Sequence, residues 1–297
     1  MRLGITGGTG FVGSRAAALA AARGWDVTLL TRHPESVRNP PSGGVRRFAL
    51  DEPAPVDGLD AVLHLAGEPV VGLWTKDKKR RIEESRVLGT RAVVGGFRHS
   101  ANPPRVLVSG SATGFYGDTG DREVSEDSPS GGGFLAGVVR AWEAEAMRAA
   151  PAARVVLLRT GFVLGRGGGA MRLVLPVFRA GLGGTLGSGR QWMSCVHVDD
   201  VAGMALWAVE NAELQGPLNA VMPAPCTNRD FTRAVARAVH RPAFFPAPAF
   251  FLRLALGELS SMLLDSSRVL PAVATRLGFA WRFPGLQGAL DEIARGA

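Results

Sequence analysis

The feature that most constrains the fold of this chain is a glycine-rich turn close to its first residue. Residues 6–13 read TGGTGFVG; they follow a short apolar run, Arg2–Thr6, and lead into an alanine-rich stretch typical of a helix. Glycine allows a tight turn, brings bare backbone N–H groups against a phosphate, and lets the helix pack closely on the strand. The turn therefore predicts a dinucleotide site, made by Gly7, Gly8, Thr9, Gly10, Phe11, Val12 and Gly13.

Short apolar runs alternate with helical patterns over the first two thirds of the sequence. This alternation is typical of βαβ units and a parallel sheet. Strands are predicted at Arg2–Thr6, Asp26–Thr31, Arg46–Ala49, Ala61–Ala66, Arg105–Ser109 and Arg154–Arg159. The predicted fold class is α/β: a doubly wound parallel Rossmann sheet that binds its ligand at the carboxyl ends of the strands. A smaller, mainly helical C-terminal substrate-binding subdomain completes it.

The division between sheet and subdomain follows from composition shifts. Glycine-rich loops bracket a short apolar helix at Met171–Ala180, and proline-punctuated helical stretches replace the alternation after Pro223. We therefore predict an NADP-binding Rossmann domain over residues 1–165, to which residues 195–222 return. Residues 166–194 and 223–297 are predicted to form the substrate-binding subdomain.

The residues that choose between NAD and NADP lie about 20 positions past the glycine turn. An NAD site would place Asp or Glu there, whereas this sequence has Thr31 and Arg32. A guanidinium binds a 2′-phosphate bidentately, and a carboxylate would repel it. NADP(H) is therefore the predicted cofactor. The alternative is that Arg32 faces solvent and that either cofactor binds.

The charge of the chain bears on its partners. A net charge of +8 raises the question of nucleic-acid binding, which needs basic residues gathered on one face. The only dense basic run is Trp74–Arg81, which contains all three lysines and reads as the solvated start of a helix. We expect no nucleic-acid partner.

The compartment is predicted from cysteines and apolar stretches. Cys195 and Cys226 have the spacing of neither a disulfide framework nor a metal site, so a reducing compartment and no metal are expected. No charged and apolar leader precedes the first strand, and the longest apolar stretch, Phe244–Leu264, is interrupted by prolines and charges. We expect a cytoplasmic protein without a membrane partner.

Several motifs beyond the glycine turn occur together along the chain. They are VLHLAG at Val62, LVSGSATGFYG at Leu107, LLRTGFVLG at Leu157, VHVDDVA at Val196, GEPV at Gly67, ESRVLGT at Glu84, AWEAEA at Ala141 and GSGRQW at Gly187. With them the chain resembles the extended short-chain dehydrogenases/reductases, and more narrowly an atypical subgroup of epimerase-family proteins. The resemblance implies that Leu65, Ala66, Gly67, Glu68 and Ser109 lie along the cofactor.

The resemblance also exposes a loss. In the wider family a Tyr and a Lys four residues apart on one helix transfer the proton, because the Lys lowers the phenol pKa. Here that helix reads FLAGVVRAWEAEA, with Phe134 or Leu135 in place of Tyr and Val138 or Val139 in place of Lys. The only tyrosine, Tyr116, is expected on a loop leading away from that helix.

Two candidate catalytic residues survive alignment with the family. Ser111 matches the serine that hydrogen-bonds the substrate oxygen, and the alternative is a loop or capping hydroxyl. Arg86 falls where the family often has an active-site Asn, and would stabilise a developing oxyanion. The alternative for Arg86 is a helix-surface residue paired with Glu83. A third pattern, His197 with Asp199 and Asp200, is interpreted as a helix cap made by aspartate.

Two functions follow. The first is an NADP(H)-dependent reductase or epimerase-like enzyme that acts on an unknown small molecule with Ser111 and Arg86. The second is a non-catalytic NADP(H)-responsive regulator with a protein partner, which the loss of Tyr and Lys favours.

Overall fold

The computed structural model describes residues 1–295, so residues 296 and 297 of the predicted subdomain lie outside the described residues. Its strands, in chain order, are β1 (Arg2–Thr6), β2 (Asp26–Thr31), β3 (Val45–Arg47), β4 (Ala61–His64), β5 (Val106–Ala112), β6 (Glu123–Val124), β7 (Arg154–Thr160), β8 (Phe162–Leu164), β9 (Trp192–Met193), β10 (Cys195–His197), β11 (Gly216–Ala220), β12 (Cys226–Thr227) and β13 (Arg268–Val269).

The helices alternate with these strands and then dominate the C-terminal part. In chain order they are α1 (Phe11–Ala22), α2 (Lys76–His99), α3 (Phe134–Met147), α4 (Met171–Arg179), α5 (Val198–Glu210), α6 (Asn228–Ala238), α7 (Ala249–Leu256), α8 (Ser261–Leu264), α9 (Ala272–Arg276) and α10 (Leu286–Arg295). Within residues 1–295, no helix combines the length and apolarity needed to cross a lipid bilayer.

Seven strands form one parallel sheet in the order β11-β7-β5-β4-β1-β2-β3. The strand order reverses between β1 and β4, and ligands of such sheets bind in the crevice outside the carboxyl ends at that point. The predicted α/β fold class is therefore confirmed. The glycine turn after β1 and the loop after β4 lie together at this crevice.

The sheet differs from its prediction at several strand ends. A seventh strand, β11, was not predicted as a strand, although its segment was expected to return to the sheet. The third strand covers Val45–Arg47 instead of 46–49, and the fifth continues to Ala112. The fourth strand ends at His64 instead of Ala66, because the Ala66 N–H turns to the Thr6 side-chain hydroxyl.

Both faces of the sheet are covered by helices. Leu3, Ile5 and Leu63 point towards α1 and α5, while Val62 and Leu107 point towards α2 and α3. Strands buried on both faces read as continuous apolar runs, as these do. The two-sided core fixes the strand ends, and with them the loops that make the crevice.

The C-terminal part packs at the carboxyl-end side of the sheet. Strand β13 pairs with β6, which follows β5, and Glu258 pairs with Lys79 at the start of α2. A separate apolar cluster joins α4, α6 and α10 to β8 and β10. The helical part thus lies beside the crevice and is attached to the sheet domain through side chains and short strands.

Candidate functional site

The glycine turn is built too tightly for side chains. Gly7 has φ +68°, and a Cβ there would lie 2.9 Å from the Leu65 carbonyl and the Ala66 nitrogen. A Cβ on Gly13 would overlap the Gly7 carbonyl oxygen. The turn therefore requires glycine at both positions, for left-handed backbone at Gly7 and for close approach at Gly13.

Helix α1 starts at this turn with its backbone donors open. Gly10 is its N-cap, no side chain caps it, and its first turn contains no acidic residue. The first N–H groups of a helix have no partner within the helix and attract an anion. The arrangement fits the pyrophosphate of a dinucleotide.

The ribose end of the crevice lies at the carboxyl end of β2. Thr31 ends the strand beside Arg47 of β3, and Arg32 follows it as an exposed residue. Within residues 1–295, the Arg32 guanidinium has no hydrogen-bond or ion-pair partner, and the nearby Glu35 pairs with His33. These residues would hold a 2′-phosphate without competition from a neighbouring carboxylate.

The loop after β4 is held by a buried polar chain. Thr6 Oγ1 accepts hydrogen bonds from the Leu65 and Ala66 N–H groups, so it donates its own proton to His64 Nδ1, 2.7 Å away. His64 Nε2 then donates to Thr90 Oγ1 at 3.1 Å. Burial lowers the pKa of His64 to about 4, so the imidazole is neutral at pH 7. His64 supports the loop from inside the sheet.

Arg86 is turned inward, towards that same loop. Its Nη1 donates to the Glu68 and Ile82 carbonyls, both at 3.0 Å, and its guanidinium lies 5.2 Å from the Trp142 ring centre. A surface pairing with Glu83, the alternative raised by the sequence, is not found within residues 1–295. Burial lowers the pKa of Arg86 to about 10, so the side chain remains a cation at neutral pH.

The predicted cofactor residues 65–68 lie next to Arg86. A Cβ on Gly67 would come within 3.4 Å of the Arg86 guanidinium carbon. The Glu68 N–H donates to Ser85 Oγ, and the Glu68 carboxylate accepts from Lys78 Nζ at 2.7 Å. That ion pair holds the pKa of Glu68 below its usual range. Gly67 and Glu68 are thereby fixed between the strand end and α2.

Ser111 lies in β5 with a partner that sequence reasoning missed. Its hydroxyl donates to Glu143 Oε1 at 2.5 Å, and Arg159 holds both oxygens of Glu143 at 2.9 Å. All three side chains are buried. The neighbouring predicted residue, Ser109, is also buried and donates to the Gly110 carbonyl. The signal that could have found Glu143 is its position four residues after Val139 and three before Ala146, on the apolar face of α3, because a buried carboxylate needs a partner.

Tyr116 belongs to the same buried network. Its hydroxyl donates to Asn219 Oδ1 at 2.8 Å and accepts from Arg159 Nη1 at 2.9 Å. Burial raises the pKa of this phenol. The expectation that Tyr116 lies on a loop leading away from α3 is wrong, because residues 113–116 form a short helical turn packed against α3, where Gly114 approaches Leu135.

Apolar side chains replace the family's Tyr and Lys on α3. Val138 and Val139 are both buried. Phe134 stacks edge-on with Trp74, and Lys79 of α2 places its ammonium 5.0 Å from the Phe134 ring centre. A cation from α2 therefore lies against the first residue of α3.

The His197 segment corrects a further expectation. Helix α5 is capped by His197, whose Nδ1 accepts from the Asp199 N–H at 3.2 Å; the cap is not an aspartate. Asp199 binds Arg15 and Arg282, and Asp200 accepts from the backbone of Arg282. The two aspartates tie the C-terminal segment to the sheet domain.

The fold and this crevice define a class, the Rossmann-type nucleotide-binding proteins. Residues 3–220 match the NAD dependent epimerase/dehydratase family, and residues 247–293 match a domain of unknown function, DUF1731. The chain belongs to the NAD dependent epimerase/dehydratase family. The resemblance to epimerase-family proteins is thereby confirmed.

Similar proteins cover the chain from end to end. The mouse epimerase family protein SDR39U1 is 36% identical, and the alignment spans 99% of each chain. The epimerase family protein YfhF of Bacillus subtilis is 35% identical over 99% of this chain and 98% of that protein. The crystal structure of human SDR39U1 (isoform 2) with NADPH superposes with a TM-score of 0.93, at 34% identity and full coverage of both chains.

Proposed function

We propose that this protein is an NADP(H)-dependent enzyme, a reductase or epimerase-like member of its family that works without the Tyr/Lys pair on a small molecule. The observation that carries the proposal is the half-buried cation of Arg86, held at the crevice beside Gly67 and Glu68. A half-buried guanidinium held over an aromatic ring is a preorganised partner for an oxyanion. The human relative crystallised with NADPH supports the cofactor.

When bound, the cofactor supplies or accepts a hydride at the nicotinamide C4. Arg86 would donate a hydrogen bond to the substrate oxygen as negative charge develops on it. Ser111, whose own proton is directed at Glu143, would accept a hydrogen bond from a substrate hydroxyl through its free lone pairs. Solvent would exchange the proton, because the phenol of Tyr116 is turned inward.

Glu143 and Arg159 would act by positioning Ser111. Their ion pair is bidentate, which fixes the carboxylate in one orientation. The Ser111 hydroxyl is therefore oriented before any substrate arrives. This preorganisation spares the reorganisation that a solvated serine would need.

A regulator that binds NADP(H) without catalysis is the second candidate. The specific observation in its favour is the apolar, buried pair Val138 and Val139 where a proton-transfer lysine would stand. In that case the cofactor would act by changing the surface presented to a protein partner.

Cofactor choice is tested by calorimetric titration with NADPH and NADH. NADPH is expected to bind at least about tenfold more tightly, which is about 1.4 kcal/mol. Arg32→Ala should remove this preference, and Arg38→Ala, an exposed arginine of the same loop, should keep it. Equal affinities of the parent protein for NADPH and NADH would contradict the NADP assignment.

Catalysis is tested with NADPH and a panel of carbonyl and enone compounds. Arg86→Ala should lower turnover by about 10²- to 10³-fold, the usual effect of removing an oxyanion donor. Arg80→Ala is the control, because Arg80 lies on the same helix but is exposed and pairs with Asp77. If NADPH binds tightly and no compound is turned over, the regulator replaces the enzyme.

A further inference from the structure

The C-terminal part carries large apolar side chains on its outside. Phe244 is 78% exposed, Phe250 69%, Phe251 62% and Leu254 73%. Soluble proteins rarely expose apolar groups in such density, and a contiguous patch marks an interaction site. We name the exposed surface of residues 171–190 and 244–256 the Phe/Arg surface.

Backbone hydrogen bonds join the two segments of the Phe/Arg surface. The N–H of Leu182 donates to the Val177 carbonyl, Phe245 N–H donates to the Gly183 carbonyl, and Ala247 N–H donates to the Thr185 carbonyl. The N–H of Gly187 donates back to Ala247, just before α7 begins. The end of α4, the loop after it and the segment leading into α7 therefore form one continuous layer.

The apolar residues of this surface are not needed by the core. Helix α4 already buries Met171, Leu175 and Phe178, so Leu173 and Val177 are left on its opposite face. Helix α7 buries none of its residues. Its Phe250 and Leu254 lie four positions apart and share an exposed face.

The same region is strongly basic. Residues 171–190 and 244–256 contain four arginines and no Asp, Glu or Lys, although the net charge of the whole chain is only +8. The arginines are exposed. Among residues 1–295, none of the four forms an ion pair. Arg172 is adjacent to Leu173 and Arg253 to Leu254, so cations and apolar groups are interleaved.

We propose that the Phe/Arg surface docks on an anionic lipid bilayer. Interleaved Phe, Leu and Arg on a surface helix are the composition of helices that lie in the membrane interface, where apolar side chains enter the acyl boundary and arginines contact anionic headgroups. Helices of this kind lie on the membrane and do not span it. The proposal revises the expectation that the protein has no membrane partner.

Charge and side-chain type favour lipid over other occupants. A second copy of the chain would bring the same arginines against these arginines, and like charges in contact are unfavourable. A single-stranded nucleic acid would stack on Phe250 or Phe251, but stacking leaves the aliphatic Leu173, Val177 and Leu254 without a partner. A bilayer matches both the charge and the aliphatic groups.

The test is flotation of the full chain with vesicles. Vesicles of phosphatidylcholine and phosphatidylglycerol in equal parts should carry the protein at low salt, and binding should be at least about tenfold weaker on pure phosphatidylcholine. Added salt should reduce binding, because it screens the arginines. No flotation with the anionic vesicles, or equal binding to both kinds, overturns the proposal.

Variants locate the surface. Phe250→Ser/Phe251→Ser and Arg172→Gln/Arg253→Gln should each weaken binding about tenfold or more. Val71→Ser/Leu73→Ser is the control, because those residues are 58% and 61% exposed but lie outside the surface. Unchanged NADPH affinity in every variant verifies the fold and is independent of any catalytic activity. Lipid docking is refuted if the control variant loses as much vesicle binding. It is also refuted if the protein is a dimer in solution that dissociates in the Phe250/Phe251 variant.

Discussion

Two regions of the candidate site differ in the groups that build them: one uses backbone atoms and the other uses side chains. At the glycine turn the site is bare backbone: Gly7 and Gly13 leave no room for side chains, and α1 begins without a side-chain cap. Where β5 and β7 face α3, the site consists of side chains instead: Ser111, Glu143 and Arg159 are buried and hydrogen-bonded to one another. The first N–H groups of α1 lack a side-chain partner and can bind an anion, whereas the charges of Glu143 and Arg159 are already paired with each other.

The difference separates cofactor binding from chemistry. Backbone donors bind a dinucleotide whatever reaction follows, so the glycine turn fits the family's cofactor without specifying a substrate. The buried network joins β5 and β7 to α3, the helix on which the family resemblance implies the Tyr and Lys, whereas Arg86 lies beside Gly67 and Glu68. Variants of the two regions should therefore fail in different ways.

The largest effect is expected from Arg159→Met. This change leaves the Glu143 carboxylate buried without its partner, which costs about 3–5 kcal/mol. The free energy of unfolding, measured by urea denaturation, should fall by that amount. The double variant Arg159→Met/Glu143→Leu should recover most of the loss, because no uncompensated charge remains. A double variant as unstable as the single one would contradict the network's structural role.

The next effect concerns His64 and pH. Its pKa is about 4 in the folded protein and 6.5 as the ordinary value, so the unfolded state binds more protons between these pH values. The stability contributed by neutral His64 is complete above pH 6.5 and is lost as the pH falls towards 4, by about 3 kcal/mol. Unfolding should be measured across this range, with His64→Gln as the comparison. The parent should lose more stability than His64→Gln on acidification; parallel curves would show that His64 is not responsible.

Gly13→Ala tests the bare-backbone end. The added Cβ overlaps the Gly7 carbonyl, so the turn must shift, at a cost of about 1–3 kcal/mol. NADPH affinity should fall about 10- to 100-fold by calorimetry. Gly288→Ala in α10 is the matched control, because its Cβ meets no atom within 4 Å. Parent-like affinity in Gly13→Ala would mean that the turn does not hold the cofactor.

The smallest effect on activity is expected from Tyr116→Phe. Removing the hydroxyl deprives Asn219 and Arg159 of a partner, and should cost about 1–3 kcal/mol of stability. Turnover should stay within a few-fold of the parent once activity has been found, because the phenol does not face the crevice. Thermal unfolding and initial rates measure the two effects. Loss of turnover with intact stability would make Tyr116 catalytic after all.

The sequence by itself determined the local features of this protein. The bounds of β1 and β2 were predicted to the residue, and the glycine turn lies between strand and helix as expected. These features depend on backbone conformation and on apolar periodicity, which neighbouring residues specify. The absence of the family's Tyr and Lys from α3 was likewise predicted from the sequence, because it depends only on residue identity.

Only the tertiary structure decided which polar groups meet. Ser111 binds Glu143 from 32 positions away and Tyr116 binds Asn219 from 103 positions away, and no periodicity in the sequence encodes such pairs. Whether Arg86 faced Glu83 or the crevice depended on how α2 packs beside the loop after β4. The exposure of α7 was also decided by packing. An apolar stretch in the sequence does not show which of its faces will be buried against other elements. Long-range contacts depend on the whole fold, so the pairing of polar side chains at the site is determined only in the folded protein.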